Sequence, residues 1–122
     1  MLSTVARLVL LASVVAAAGS IPMYPGATID VNGMKADRSH GQMRLDTAYY
    51  TPDSFDKVAA FYRGQKGIIE NKTLGENTAT SKRTYFALAG YNITLNWPAN
   101  IYDAQGNIKA QRGTRIAYVK VD

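Results

Sequence analysis

The chain has 122 residues, contains no cysteine and carries a formal net charge of +5 at pH 7. The lack of cysteine excludes disulfide staples, thiolate nucleophiles, iron–sulfur clusters and thiolate zinc sites. The basic residues are scattered, and the longest basic run is Lys82-Arg83. No dense tract for a nucleic acid exists, so we expect no nucleic-acid partner.

The first residues have the three parts of a secretory signal peptide. Arg7 is the only charged side chain before Asp30, and an apolar run, Leu8 to Ala18, follows it. Small residues suited to signal peptidase end the run, and the run is shorter than the about 20 apolar residues that a bilayer span needs. We therefore expect a signal peptide at residues 1–19 that is removed.

The expected mature product, residues 20–122, has the length of one domain and a net charge of +4, because Arg7 leaves with the signal peptide. We expect it to be periplasmic or secreted, with no stable membrane span after processing. Its mildly basic surface suits an anionic lipid or envelope polymer, although such a balance also serves simple solubility.

The mature chain opens with an extended segment and a predicted β-hairpin. Residues 28–31 alternate in polarity, and Asn32-Gly33 is a favoured pair for a tight hairpin turn. A second alternating run, Met43 to Tyr50, predicts a half-buried strand.

The segment after this strand predicts a helix. Thr51 or Asp53 is expected to cap its N-terminus, and Gly64 lies near its end. Four apolar residues fall at helical spacing and form one stripe: Phe55, Val58, Ala59 and Tyr62.

The remaining chain predicts strands and two turns. The strands are expected at residues 68–73, 80–89, 93–97 and 114–121, with turns at residues 90–92 and 103–107. These elements predict an α+β domain with one antiparallel sheet of about five strands, in the order β-β-α-β-β-β, and a single helix packed on one face. The other sheet face is then solvated or forms a binding surface.

Candidate catalytic and metal-binding residues are few. His40 is the only histidine and lies in a predicted loop, Glu70 and Glu76 are the only glutamates, and no nucleotide-binding loop is present. No set of ligands has the spacing of a metal site. We predict no catalytic, cofactor-binding or metal-binding residue.

Tyrosine is abundant, with eight residues, and Trp97 is the single tryptophan. Aromatic side chains with a polar tip are favoured at contact surfaces. A platform for a sugar chain or peptide would form if the open sheet face carried Arg44, Tyr50, Arg83, Tyr91 and Trp97 together. The alternative is that these residues are ordinary, partly buried strand residues.

Two motifs together resemble a family. The sequence P-x-Y-P-G-A begins at Pro22, and T-x-D-S-x-x-K-V-x-x-F-Y runs from Thr51 to Tyr62. This pairing resembles small exported bacterial domains of uncharacterised function. The resemblance implies the periplasm or exterior of a Gram-negative-like bacterium and assigns no catalytic residue.

Three functions remain open. The leading hypothesis is a non-enzymatic exported module that binds an envelope protein or polymer through the open sheet face. The first alternative is a small hydrolase or lyase that uses Asp or Tyr groups. The second is a structural or assembly subunit that pairs sheet edges, for which an exposed edge at residues 114–121 would be evidence.

Overall fold

A computed structural model describes residues 21–41 and 47–121. The predicted signal peptide and Arg44 lie outside these residues. The described residues form two helices and eight strands, in this chain order: β1 Thr28–Ile29, α1 Val31–Ser39, β2 Thr47–Thr51, α2 Phe55–Arg63, β3 Ile69–Asn77, β4 Lys82–Leu88, β5 Tyr91–Trp97, β6 Asn100–Tyr102, β7 Ile108–Gln111 and β8 Thr114–Lys120.

Six strands form one antiparallel sheet in the spatial order β1-β2-β8-β5-β4-β3, and β6 and β7 pair as a separate antiparallel hairpin. The predicted α+β class is confirmed, with six strands in the sheet rather than about five. No helix in the described ranges has the length and apolarity to cross a membrane.

Helix α2 is the predicted helix, and its apolar stripe is buried. Phe55 is 7% exposed, and Val58, Ala59 and Tyr62 are fully buried. The stripe packs on the sheet face that presents the other large core residues, since strands project alternate side chains to one side. These core residues are Phe86, Ile93, Leu95, Ile116 and Tyr118.

The N-terminal cap of α2 is Ser54, not Thr51 or Asp53 as predicted. The Ser54 hydroxyl accepts a hydrogen bond from the backbone N–H of Lys57 at 3.2 Å. Thr51 ends strand β2, and its hydroxyl accepts a bond from the Asp53 N–H at 3.2 Å. Thr51 therefore shapes the turn that leads into the helix, and Ser54 caps the helix itself. At the other end, Gly64 is the C-cap, near the position predicted.

The segment before β1 packs directly on α2. The Tyr62 hydroxyl donates to the carbonyl of Pro22 at 3.2 Å, and the Tyr24 hydroxyl donates to the Asp53 carboxylate at 2.5 Å. The rings of Tyr24 and Phe61 meet edge to face, with centroids 5.4 Å apart. The two motifs that carry the family resemblance are therefore in contact with each other.

The prediction of a single helix is wrong, because Asn32-Gly33 lies inside helix α1 and not in a hairpin turn. Asp30 caps this helix and accepts a hydrogen bond from the Gly33 N–H at 3.1 Å. A Cβ on Gly33 would lie 2.0 Å from a carboxylate oxygen of Asp30. Glycine is needed here because it leaves room for the capping carboxylate, not because it allows a turn conformation.

Helix α1 covers part of the sheet face opposite α2. Tyr49 faces the α2 side, so its neighbour Ala48 projects to the other side, where it pairs with Ala117. Both alanines are buried, and so is Ala36 of α1. Small side chains on both surfaces let the helix approach the sheet closely. The predicted open face is therefore open only in part.

Strand β8 lies in the middle of the sheet, between β2 and β5. Residues 114–121 consequently offer no exposed edge for assembly. The outer edges are β1 and β3, and β3 is longer than the predicted strand because it continues through Gly75 with a bulge between Asn71 and Glu76. A Cβ on Gly75 would lie 2.5 Å from the carbonyl oxygen of Arg83, which explains the glycine.

Two turns shape the β-hairpins. The link between β4 and β5 is a two-residue turn, in which Ala89 and Gly90 have φ angles of 51° and 80°. Tyr91, predicted to lie in the turn, begins β5. The turn predicted at residues 103–107 is confirmed, and there the Asp103 carboxylate accepts the N–H groups of Gln105 and Asn107 at 2.9 and 3.0 Å.

Candidate binding grooves

The residues of the predicted aromatic platform do not form one surface. Arg44 lies outside the described residues. Tyr50 pairs with Arg115 and Arg83 pairs with Asn96 on the face opposite α2.

Tyr91 and Trp97 are on the α2 face, because they alternate in register with the buried residues of β5. Both pack against the core, and the Lys82 Nζ lies 5.6 Å from the centre of the Trp97 ring. Tyr91 serves packing, whereas Trp97 packs against the core and also lines the larger groove described next.

A groove of about 410 Å³ lies on the face opposite α2, beside the β6–β7 hairpin. We call it the amide groove. The side chains that distinguish it are the neutral amides of Asn96, Asn100 and Gln111, and Tyr102 contributes to its wall. The Gln111 amide donates to the Asn100 side-chain oxygen at 2.7 Å, so two of these groups hold each other in place. The volume is within the range of about 300–1,000 Å³ that small-molecule sites occupy.

The charged groups of the amide groove are Asp37 and Arg115, and they are paired with each other. The Arg115 Nη2 donates to Asp37 at 2.6 Å, and its Nε donates to Asp30 at 3.0 Å. All three side chains are mostly buried, with exposures of 17% for Arg115, 15% for Asp30 and 21% for Asp37. One guanidinium on β8 thus fastens both ends of helix α1 to the sheet.

A second groove, of about 400 Å³, lies along the same hairpin near the N-terminus of α1. We call it the basic groove. Tyr50, Asn32, Lys109 and Arg112 line it, together with the Asp30 that is bonded to Arg115. Gly113 is required beside it, since a Cβ there would lie 2.7 Å from the Tyr50 hydroxyl.

Hydrogen bonds join helix α1 to the β6–β7 hairpin and hold the base of the hairpin. The Asn32 side chain donates to the carbonyl of Tyr102 at 3.2 Å, and the Lys35 Nζ donates to that of Ala104 at 3.3 Å. At the base of the hairpin, the Arg112 N–H donates to the carbonyl of Ala99 at 3.1 Å. Both grooves are therefore bounded by backbone that is fixed at several points before any ligand arrives.

A third and smaller cavity, of about 190 Å³, lies between α2 and the edge strand β3. Its carboxylate, Glu70, accepts two hydrogen bonds from Arg63, at 2.7 and 2.8 Å, and one from the Thr84 hydroxyl at 2.6 Å. The Arg63 bonds, with help from Thr84, lower the pKa of Glu70 to about 2. A carboxylate held so firmly in its charged form is a structural anchor and a poor proton donor.

The two buried tyrosines of the core are also unsuited to proton transfer at neutral pH. Tyr62 and Tyr118 share a hydrogen bond between their hydroxyls under α2. Burial raises the pKa of Tyr62 to about 12 and raises that of Tyr118 further. Both remain protonated and act as polar links within the core.

His40, the one histidine, is exposed at the C-terminal end of α1. In the ranges that the structure covers, no three His, Cys, Asp or Glu side chains are grouped so that they could hold a metal ion.

Sequence reasoning missed the groove residues Asn96, Asn100 and Gln111. Isolated amides carry no motif, and they meet only because β5 and the β6–β7 hairpin fold together. A concentration of amides around the end of β5 was the one available signal.

Comparison of the chain with protein-family models, curated proteins and solved structures gives no match.

Proposed function

We propose that this domain is an exported, non-enzymatic module that binds a polysaccharide of the bacterial envelope in the amide groove. The groove lining carries the proposal. Amide side chains both donate and accept hydrogen bonds, as sugar hydroxyls do. Tyr102 adds an amphipathic ring, whose apolar face suits the C–H face of a sugar and whose tip is polar.

The charge state of the groove favours a binding role over hydrolysis. Glycoside hydrolysis uses two carboxyl groups that face each other across the scissile bond. Here Asp37 and Asp30 are bonded to a single guanidinium, that of Arg115. Carboxylates that share one guanidinium hold the helix to the sheet and do not face each other across a scissile bond.

Export to the envelope is the second part of the proposal. It rests on the pattern of residues 1–19 and on the resemblance of the two motifs to exported bacterial domains. The packing of Pro22 and Tyr24 on α2 supports it, because the folded unit uses residues that closely follow the predicted cleavage site.

Affinity electrophoresis of residues 20–122 through gels that contain single polysaccharides tests the binding. The panel holds neutral chains, dextran and laminarin, and acidic chains, alginate and polygalacturonate. We expect at least one polysaccharide to retard the protein. Asn96→Ala and Gln111→Ala should each weaken retardation about fivefold or more, since each removes a bond worth roughly 1 kcal/mol.

The matched control is Asn92→Ala. Asn92 is an amide on the same strand and the same face as Asn96 but does not line the groove. It should leave retardation unchanged. Absence of retardation by every polysaccharide, or equal weakening by Asn92→Ala and Asn96→Ala, would overturn the proposed function.

A further inference from the structure

The two grooves along the β6–β7 hairpin are neighbours. Asn100 and Tyr102 line both of them, on the same strand and two residues apart. Side chains two apart on a strand project to the same side. A chain-like ligand that contacts Asn100 and Tyr102 in the amide groove can therefore continue into the basic groove without leaving the surface.

The grooves differ in charge. The amide groove contains one carboxylate and one guanidinium, bonded to each other. The basic groove contains one carboxylate, Asp30, which is bonded to Arg115, and two cations, Lys109 and Arg112. The first groove is electrically balanced, and the second has positive charge left over.

Of the two cations, Arg112 has the charge that is less balanced by neighbouring carboxylates. Among the described residues, no carboxylate lies within ion-pair distance of its guanidinium. Lys109 is partly balanced by Asp103: hydrogen bonds from the Asn107 and Gln105 backbone lower the pKa of this carboxyl, and the charge of Lys109 lowers it further. The Arg112 backbone is fixed by its bond to Ala99, so the side chain starts from a defined point.

We infer that the basic groove is a second subsite for the same ligand and that the polysaccharide is therefore acidic, with an anionic substituent that meets Arg112 and Lys109. The inference rests on the proposed function. A guanidinium binds a carboxylate or phosphate through two parallel hydrogen bonds, and a neighbouring ammonium adds charge without demanding a set geometry. Asn32 and Tyr50, on the same wall, offer polar contacts to the sugar that carries the substituent.

The test compares alginate and polygalacturonate oligosaccharides with laminarin oligosaccharides of equal length, by isothermal titration calorimetry on residues 20–122. We expect the acidic chains to bind about tenfold more tightly at about 50 mM salt and to lose most of that advantage at about 500 mM. The double variant Lys109→Gln/Arg112→Gln should bind acidic and neutral chains equally.

The charge-matched control is Arg38→Gln/Lys66→Gln, which removes two exposed cations that line neither groove. It should keep the preference for acidic chains. An equal loss in the control would show general attraction to the protein charge and overturn the second subsite. Equal, salt-insensitive binding of acidic and neutral chains, still weakened by Asn96→Ala, would also overturn it while leaving the proposed function intact.

Discussion

The two helices are held on opposite faces of the sheet by different forces. Under α2, large apolar side chains such as Phe55, Phe86 and Ile116 are almost fully buried. Under α1 the contact is made by alanines, and the helix is fastened by one arginine, Arg115. Burial of area stabilises the first face, and directional polar bonds stabilise the second.

In the proposed function, the stability of the domain and the recognition of its ligand depend on different faces of the sheet. In the part of the chain that the structure describes, the packed apolar face has only a small cavity of about 190 Å³ beside α2, because its side chains interlock at high density. The face with α1 leaves two neighbouring grooves along the hairpin, and its polar groups are already fixed. The proposed ligand therefore meets the part of the domain that contributes less to the core.

The largest expected effect is on the α2 face. Phe55→Ala should lower the free energy of unfolding by about 3–4 kcal/mol, since it removes a buried ring and leaves a cavity. Urea denaturation measures this, with the groove variant Asn96→Ala as the comparison. Asn96→Ala should change stability by less than about 0.5 kcal/mol. Equal losses in both variants would contradict the division between the faces.

A smaller loss is expected from Arg115→Met. The change leaves the carboxylates of Asp30 and Asp37 mostly buried without their shared partner, and we expect a loss of about 2 kcal/mol. Adding Asp37→Asn to Arg115→Met should recover part of it, because one uncompensated charge is removed. If Arg115→Met unfolds at the same urea concentration as the parent, the ion pairs do not hold α1.

Glu70 gives a pH-dependent effect on the α2 side. Its pKa in the folded protein is about 2, below its ordinary value of 4.5. A lowered carboxyl pKa adds stability that is fully present above pH 4.5 and is lost as the pH falls toward 2. Because Arg63 is 45% exposed, we expect only about 1 kcal/mol from the pair.

The measurement is the unfolding midpoint of Glu70→Gln and of the parent between pH 7 and pH 2. The two should differ at pH 7 and converge as the pH falls below 4.5. A difference that stays constant across this range would show that Glu70 acts through packing and not through its charge.

The smallest expected effect is a gain in the free energy of unfolding. Ala89 has a φ of 51°, a region that asparagine tolerates better than alanine, and Gly90 follows it. Ala89→Asn creates the favoured Asn-Gly turn and should raise stability by about 0.5–1 kcal/mol. Ala104→Asn, in the other hairpin, is the control and should give no gain. A destabilised Ala89→Asn would contradict the turn geometry.

Local patterns were sufficient to predict α2 and the strands that pack against it. Residues close together in the sequence form both the stripe from Phe55 to Tyr62 and the alternation around Ile93 and Ile116. The caps were less predictable, because Thr51, Asp53 and Ser54 are all capping types. Which of them caps α2 depends on where β2 ends.

Helix α1 and the grooves were not predictable from local patterns. The α1 segment includes Asn32 and Gly33, which have low helix propensity, and its cap is fixed by Arg115, 85 positions away from Asp30. The grooves likewise depend on Asn96, Asn100 and Gln111 meeting across a hairpin. Such juxtapositions belong to the topology, and no short motif encodes them.

The proposed function requires ligand binding on the α1 side of the sheet, beside the β6–β7 hairpin. It is tested most directly by titrating ¹⁵N-labelled residues 20–122 with alginate oligosaccharides and following the amide signals by NMR. We expect shifts of the side-chain signals of Asn96, Asn100 and Gln111, with those of Asn92 unmoved. Shifts confined to α2 and β3, or no shifts at all, would contradict it.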